Sequence, residues 1–230
     1  TAKMIAFTEL WDEICKKRFK VKDEKFRRFR YGMQVNSLGL TELQPENNVY
    51  RILIQMLPVV IAKNSRARAV QLPAWNEALG LPRPWDQQWS LRLQQIMAYE
   101  TDLLEFDDVF EGSKVLKNKV NKLKKSFYNQ IKEIDKLGGL VEAIENGFMK
   151  SKLVESQTTR QKSIETGEQQ VVGVNCYTEG EESPLTNVND GGFMKVDEKA
   201  EKKQIEDLKK FKSKRNEKKI NSLLNQLKNT

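Results

Sequence analysis

The fold is decided by residues 67–79, Ala-Arg-Ala-Val-Gln-Leu-Pro-Ala-Trp-Asn-Glu-Ala-Leu. Residues 67–73 predict a strand that ends at Pro73. A helix over 45–63 is predicted before this strand, and another over about 84–100 after it. Strands that alternate with helices are typical of a parallel sheet with crossover helices. This stretch therefore predicts an α/β fold.

The helices on either side of this strand are predicted from apolar residues that recur every three or four positions. The helix over 45–63 has an apolar stripe, with Pro45 near its start; the stripe is Val49, Ile52, Leu53, Met56, Leu57 and Val60. The helix over 84–100 has a predicted buried face of Trp85, Trp89, Leu93, Ile96 and Met97. Further helices are predicted over 4–18, 114–137, 140–146 and 149–166. Further extended segments are predicted over 28–36, 103–109 and 171–175.

The number of strands sets a limit on the architecture. Only three or four strands can be counted, whereas a closed barrel of this kind takes about 250 residues and eight strands. Residues 178–194 resemble a loop, and two highly charged helices follow from residue 196, the second capped by Asn216. We therefore predict that residues 1–177 are part of a barrel and that residues 178–230 are a charged helical linker.

The composition of the chain limits the kinds of partner that we expect it to bind. The chain has 230 residues, 31% charged and 38% hydrophobic, with a net charge of +8. The lysines lie mainly on helix faces and in the tail, and no platform of aromatic and arginine side chains suits single-stranded nucleic acid. The longest apolar run, Ile52 to Ala62, is too short to span a bilayer. We expect no nucleic-acid partner and no membrane partner.

The numbers of cysteine and histidine residues limit the kinds of catalytic and metal site that the chain can contain. Cys15 and Cys176 lie far apart without a CxxC motif, which favours a reducing compartment and a cytoplasmic location. The chain contains no histidine, which excludes Ser-His-Asp catalysis, Cys-His catalysis and the usual zinc sites. No P-loop or dinucleotide fingerprint is present. Any acid–base chemistry in this chain would have to use carboxylates, tyrosine or lysine; alternatively, the groups that do the work lie outside it. We assign no catalytic residue and no metal ligand within the chain.

Polar residues follow three predicted strands, within residues 34–37, 71–77 and 105–113. Functional groups of α/β barrels gather at these strand ends, although such residues can also be turn and capping residues. Glu77 is notable because a carboxylate can accept two hydrogen bonds from a vicinal diol such as a ribose. The alternative is that Glu77 is an acidic residue favoured at a helix N-terminus.

Two long motifs resemble those of a known family. Residues 34–48, Gln-Val-Asn-Ser-Leu-Gly-Leu-Thr-Glu-Leu-Gln-Pro-Glu-Asn-Asn, are similar to its motif Gln-Thr-Ser-Gly-Trp-Ser-Leu-Thr-x-Gln-x-x-x-Asn-Asn. Residues 74–82, Ala-Trp-Asn-Glu-Ala-Leu-Gly-Leu-Pro, are similar to Asn-x-x-Asp-Glu-Ala-Leu-x-Leu-Pro. Later landmarks follow in order: Gly138-Gly139, the arm around Arg160 to Gly167, Val172 to Asn175, and Val196-Asp197 at the start of the linker. Over nearly its whole length the chain resembles the methylmalonyl-CoA mutase superfamily of adenosylcobalamin-dependent acyl-CoA mutases.

Within this superfamily the chain resembles the ethylmalonyl-CoA mutase branch. Residues 82–90, Pro-Arg-Pro-Trp-Asp-Gln-Gln-Trp-Ser, and residues 99–105 carry that likeness. The differences from methylmalonyl-CoA mutases agree with this assignment. Gly32 stands where those enzymes have histidine, and Leu38 stands where they have tryptophan. Residues 108–113 replace their Asp-Pro-Trp-Gly-Gly-Ser stretch.

The resemblance implies the second half of a TIM-type (β/α)8 barrel followed by the helical linker. It implies that Glu77 holds the ribose of the adenosyl group, that Ser37 and Gly80 contact the cobalamin, and that Gln34 lies near the corrin face. Ser37 replaces a glycine of the family. The region that threads CoA lies upstream in the family, and the cobalt-ligating histidine lies downstream in a separate cobalamin-binding domain.

The implied function is radical rearrangement of a short branched acyl-CoA, of the type ethylmalonyl-CoA to methylsuccinyl-CoA. Methylmalonyl-CoA and isobutyryl-CoA mutase activities are the alternatives within the family. The implied partners are the acyl-CoA substrate, the remaining barrel and the cobalamin-binding domain, on the same or a separate chain, in a homodimer. The isolated chain is expected to be incomplete and inactive. An alternative of another class is a non-catalytic basic binding or scaffold protein that uses the charged tail.

Overall fold

The computed structural model describes residues 1–188, 191–195 and 197–228. The chain divides into two compact units, residues 1–193 and residues 194–230. The first unit contains α1 (Ala2–Lys17), β1 (Met33–Gln34), α2 (Asn47–Ile61), β2 (Val70–Gln71), α3 (Pro84–Tyr99), α4 (Lys114–Lys136), α5 (Leu140–Glu145) and α6 (Phe148–Glu165). The second contains α7 (Glu198–Lys214) and α8 (Glu217–Lys228).

The first unit is a helix-rich α/β structure around a small parallel sheet. β1 and β2 pair in parallel, with Met33 opposite Val70 and Gln34 opposite Gln71. The backbone nitrogen of Val35 donates to the oxygen of Gln71 at 2.9 Å. α2 is the crossover helix between the two strands. The predicted α/β class and its parallel pairing are confirmed, and the sheet has two strands within the described residues.

One face of α2 forms the centre of the core. Ile52 and Met56 are each only 1% exposed, and Leu53 and Val60 pack against them. These four residues belong to the stripe predicted for this helix. The core cluster consists of Val35, Leu40, Ile52, Met56, Leu72 and Met97. Because Val35, Leu40 and Leu72 lie in the segments that follow the two strands, the core supports the loops at that edge of the sheet.

The buried face predicted for α3 is wrong in part. Trp85 and Trp89 are 41% and 37% exposed and Ile96 is 48% exposed. The residues that α3 buries are Asp86, Ser90 and Met97, with Leu93 packed beside them. This stripe also has helical spacing, but two of its four members are polar. Their hydrogen bonds to other segments satisfy them in the interior, as buried polar groups require.

Two predicted strands are turns in the structure. At the start of the predicted strand 103–109, residues 102–104 form a short 3-10 turn. Thr101 caps this turn by accepting a hydrogen bond from the nitrogen of Leu103 at 3.4 Å. Within 171–175, the side chain of Asn175 accepts a hydrogen bond from the nitrogen of Val171 at 2.7 Å. Side chains that bond nearby backbone in this way favour turns over strands.

α1 packs against α4, and a partly exposed ion-pair cluster joins the two helices. The Lys124 ammonium contacts Glu13 at 2.5 Å and Glu9 at 2.8 Å, and the Tyr128 hydroxyl donates to Glu13 at 2.8 Å. The hydrogen bond from Lys124 lowers the pKa of Glu13, against the opposing effect of partial burial. The carboxylate form of Glu13 therefore stabilises the pairing of the two helices.

We expect this pairing to weaken in acid. A carboxyl group whose pKa is lower in the folded chain contributes stability above its unfolded pKa, near 4.5, and that contribution is lost as the pH falls through the folded value. Glu13→Gln should remove this pH dependence and cost up to about 1 kcal/mol at neutral pH. Hydrogen exchange of α1 between pH 3 and pH 7 measures the pH dependence of its stability. The control is Glu24→Gln, which changes an exposed glutamate. An unchanged pH dependence in Glu13→Gln would contradict this role.

The second unit consists of two charged helices. Asp197 caps α7 by accepting a hydrogen bond from the nitrogen of Lys199 at 2.9 Å. Asn216 caps α8, as predicted, by accepting from the nitrogen of Lys219 at 3.0 Å. Val196, which the motif comparison placed at the start of the linker, lies outside the described residues. The functional division of the chain at residues 177 and 178 stays a prediction.

Candidate functional site

The loops after β1 and β2 form the candidate site. The carboxyl ends of parallel strands lie at the same edge of a sheet, and ligands of α/β proteins bind at that edge. Gln34 and Gln71 are paired in register at the ends of the strands, and both are exposed. Ser37, which is half-buried, begins a short 3-10 turn after β1, and Glu77 lies in a turn after β2. The structure thus brings three of the four predicted site residues to one edge.

The side chain of Glu77 is exposed. Its backbone nitrogen donates to the oxygen of Ala74 at 3.2 Å. Within the described part of the chain, its side chain has no hydrogen bond and no ion pair. α3 does not begin until Pro84, so a helix N-terminus does not explain the position of this acidic residue. A carboxylate in this state can accept hydrogen bonds from a ligand.

Asn48, at the start of α2, joins the two loops. Its side-chain nitrogen donates to the oxygen of Thr41 at 2.8 Å and to the oxygen of Trp75 at 2.9 Å. Its side-chain oxygen accepts from the nitrogen of Thr41 at 3.0 Å and from Arg51 at 2.8 Å. Asn48 is completely buried. A single side chain therefore fixes the loop after β1 against the loop after β2.

α3 supports the loop after β2 from its buried face. The Ser90 hydroxyl donates to the oxygen of Pro73 at 2.6 Å. The Asp86 carboxylate accepts from the indole nitrogen of Trp75 at 3.0 Å and from the side chain of Asn76 at 2.8 Å. Asn48, Asp86 and Ser90 were not predicted as site residues. No signal within the sequence of α3 marks Asp86 and Ser90, because the groups that satisfy them lie outside the helix.

Gly80, the fourth predicted site residue, closes the same loop. Its φ is +153°, and a β-carbon built on it would lie 2.9 Å from the ring of Phe193. Both features require glycine, because an L side chain is strained at this φ and would collide with the ring. Packing therefore gives Gly80 a structural role, and its contact with cobalamin stays a prediction.

We expect Gly80→Ala to destabilise this loop by about 2 kcal/mol, from the combined backbone strain and side-chain collision. When Phe193→Ala is added to Gly80→Ala, the stability lost through the collision should be recovered. The stability lost through backbone strain at this φ should remain lost. The matched control is Gly39→Ala, because a β-carbon there would meet no atom closer than 4.0 Å. Hydrogen exchange of residues 76–81 measures the effect. Equal protection in Gly80→Ala and Gly39→Ala would contradict the prediction.

A cavity of about 780 Å³ lies elsewhere, among α1, the start of α4 and the residues that precede the two strands. Its charged groups include the ion pair of Arg27 with Asp12 at 2.8 Å. Asp108 also lines it and accepts a hydrogen bond from the nitrogen of Asn64 at 2.6 Å. None of the four predicted site residues lines this cavity. The predicted site residues thus lie at the ends of the strands and in the loops after them, and not in this cavity.

The described residues offer no group of three or more His, Cys, Asp or Glu side chains that could hold a metal ion. Among the same residues, none of the helices is long and apolar enough to cross a membrane.

Fold and site define an α/β protein with polar loops at the carboxyl edge of a parallel sheet. The chain belongs to the methylmalonyl-CoA mutase family, whose model matches residues 1–230. It is 61% identical to ethylmalonyl-CoA mutase of Cereibacter sphaeroides over 203 residues, which are 88% of this chain and 31% of that protein. It is 56% identical to ethylmalonyl-CoA mutase of Methylorubrum extorquens over 222 residues, 96% of this chain and 32% of that protein.

Methylmalonyl-CoA mutases are less similar. The mitochondrial methylmalonyl-CoA mutase of Mus musculus is 30% identical over 217 residues, 94% of this chain and 28% of that protein. The predicted family and its ethylmalonyl-CoA mutase branch are therefore confirmed. The chain spans about a third of the length of the ethylmalonyl-CoA mutases that it matches.

The loops offer hydrogen-bond acceptors of the kind that a vicinal diol such as a ribose requires. A ribose presents two neighbouring hydroxyl groups, and the free carboxylate of Glu77 can accept hydrogen bonds from both. The side-chain oxygen of Asn76 is buried and has no hydrogen-bond partner within the described residues, so this loop holds a further unused acceptor. Gln34 adds an exposed carboxamide at the end of β1.

Proposed function

We propose that this chain is a segment of an adenosylcobalamin-dependent acyl-CoA mutase that converts ethylmalonyl-CoA to methylsuccinyl-CoA. The observation that carries the proposal is the 61% and 56% identity to two ethylmalonyl-CoA mutases. When bound, adenosylcobalamin supplies the radical chemistry through homolysis of its cobalt–carbon bond. In this proposal Glu77 accepts hydrogen bonds from the ribose, and Gln34, Ser37 and Gly80 lie against the cobalamin.

We further propose that residues 1–177 are the second half of a TIM-type (β/α)8 barrel. Within the described residues the sheet has two strands, so each strand has one edge without a partner strand. α2 supports the same view, since Tyr50 and Ile54 on its outer face are 64% and 68% exposed. Further strands and helices would cover these surfaces. Residues 178–230 would then lead to a cobalamin-binding domain, on the same or a separate chain, and the isolated chain would be inactive.

The substrate proposal is tested in a full-length enzyme. This chain is placed in the matching segment of the Cereibacter sphaeroides ethylmalonyl-CoA mutase, and kcat/KM is measured for three acyl-CoA substrates with adenosylcobalamin. We expect ethylmalonyl-CoA to be favoured over methylmalonyl-CoA and isobutyryl-CoA. A preference for either of the other two would assign the chain to that activity instead. The relative with its own segment is the control.

We also propose that the whole enzyme is a cytoplasmic homodimer. Both cysteines are free, which supports a reducing compartment. Light scattering of the full-length enzyme and fractionation of the source cells test these two points. A monomer, or recovery of the enzyme outside the cytoplasmic fraction, would contradict them.

A further inference from the structure

Asp86 is a completely buried carboxylate in the first turn of α3. Burying a charge is costly unless hydrogen bonds and an opposite charge compensate for it. One carboxylate oxygen accepts from the indole nitrogen of Trp75 at 3.0 Å and from the Arg83 guanidinium at 3.0 Å. The other accepts from Asn76 at 2.8 Å, and from the backbone and side-chain nitrogens of Arg83 at 2.8 and 2.9 Å. Both oxygens are therefore fully used.

These contacts fix the two residues that directly precede Glu77. Trp75 is 1% exposed and Asn76 is 0% exposed, whereas Glu77 is exposed. Asn76 also donates to the oxygen of Gly192 at 2.7 Å, and its own carbonyl accepts from the nitrogen of Leu79 at 2.8 Å. Asp86 thus holds the two residues before Glu77 through their side chains, and the carbonyl of Asn76 joins them to Leu79 on the other side of Glu77.

α3 holds this loop at two points. Asp86 contacts residues 75 and 76, and Ser90, one turn further along the same face, bonds to Pro73 at 2.6 Å. Both belong to the stretch Pro82 to Ser90 that the sequence comparison singled out without assigning it a role. A loop anchored on a helix presents its functional group with less freedom than an unsupported loop.

We propose that Asp86 is a positioning residue that orients Glu77 toward the adenosyl group, with Ser90 as the second anchor of the same loop. This inference rests on the proposed function. Asp86 acts through the conformation of residues 73–77 and does not itself touch the cofactor.

The test uses Asp86→Asn in the full-length enzyme that carries this chain. The carboxamide keeps the size of the side chain, but one oxygen becomes an amino group that cannot accept from Asn76 or Arg83. We expect the Kd of adenosylcobalamin to rise about tenfold, the scale of one lost charged hydrogen bond. We expect KM for the acyl-CoA to stay within about twofold, because the change acts on the cofactor side.

The control is Asp108→Asn, which alters another buried aspartate. Asp108 is 9% exposed and accepts from the backbone of Asn64 and Phe110, outside the loop that carries Glu77. It should lower thermal stability without a change in cofactor Kd. Hydrogen exchange of residues 72–80 should rise in Asp86→Asn and stay unchanged in Asp108→Asn.

A purely structural role for Asp86 predicts a different outcome. Less folded enzyme would then be recovered, but the folded fraction, counted by titration with cofactor, would bind with the Kd of the unchanged enzyme. That result would overturn the inference and leave the proposed function intact. Failure of the unchanged enzyme to bind adenosylcobalamin would overturn both. If Asp86→Asn does not fold, Ser90→Ala decides, because it removes one neutral contact and should raise the Kd about threefold with unchanged acyl-CoA KM.

Discussion

Glu77→Ala should lower turnover of the full-length enzyme about 100-fold while the KM for acyl-CoA stays within about twofold. The reason is that, in the proposed arrangement, the variant loses the carboxylate that accepts two hydrogen bonds from the ribose. Each charged hydrogen bond contributes more than a neutral one. The acyl-CoA does not depend on this group in the proposed arrangement. Stopped-flow absorbance of cobalt–carbon cleavage, together with steady-state kinetics, measures the two effects separately.

Two variants sharpen the Glu77 experiment. Glu77→Gln keeps one acceptor oxygen without the charge and should give an intermediate loss. Glu42→Ala removes another exposed glutamate, from the loop after β1. It should leave both the turnover and the KM for acyl-CoA unchanged. If Glu77→Ala raises the acyl-CoA KM and leaves cobalt–carbon cleavage intact, Glu77 has no role in binding the ribose.

Asn48→Ala should cost about 3 kcal/mol in the local free energy of opening of the two site loops. The change removes the hydrogen bonds to the buried carbonyl of Trp75 and to the half-buried backbone of Thr41. An orphaned buried group costs about 1–3 kcal/mol. Hydrogen exchange at the amides of Thr41 and Leu79 reports this opening, one in each loop. Faster exchange at both amides together is the expected result, because Asn48 bonds to both loops.

Asn47→Ala is the matched control for Asn48. The Asn47 side chain donates one hydrogen bond, to Gln44 at 2.9 Å, and is only partly buried. This change should affect exchange by less than about 1 kcal/mol. An equal effect of the two alanines, or faster exchange at Thr41 alone, would contradict the role of Asn48 as the link between the loops.

The positions of the main helices and the parallel pairing of the strands could be predicted from the sequence. The buried residues Ile52 and Met56 of α2 recur at helical spacing, and such periodicity survives in the structure because one face of the helix must pack. The buried face of α3 could not be predicted by the same reasoning. Asp86 and Ser90 are buried because Trp75, Asn76 and Pro73 satisfy them, and that information lies outside the helix itself.

The wrong strands have a related cause. Residues 103–109 and 171–175 contain apolar residues typical of strands, but Thr101 and Asn175 bond to nearby backbone and hold turns. The site shows the same division. Glu77 could be predicted as a site residue because it is a carboxylate in a loop after a strand. Asn48 lies in the motif of residues 34–48, but its role follows only from its contacts with two separate loops.

The most direct test of the proposed function is the product of the full-length enzyme that carries this chain. The enzyme is incubated with ethylmalonyl-CoA, with and without adenosylcobalamin, and the acyl-CoA products are identified by mass spectrometry of their fragments and by chromatography. We predict methylsuccinyl-CoA only when adenosylcobalamin is present. No methylsuccinyl-CoA with the cofactor present, while the parent Cereibacter sphaeroides enzyme forms it under the same conditions, would contradict the proposal.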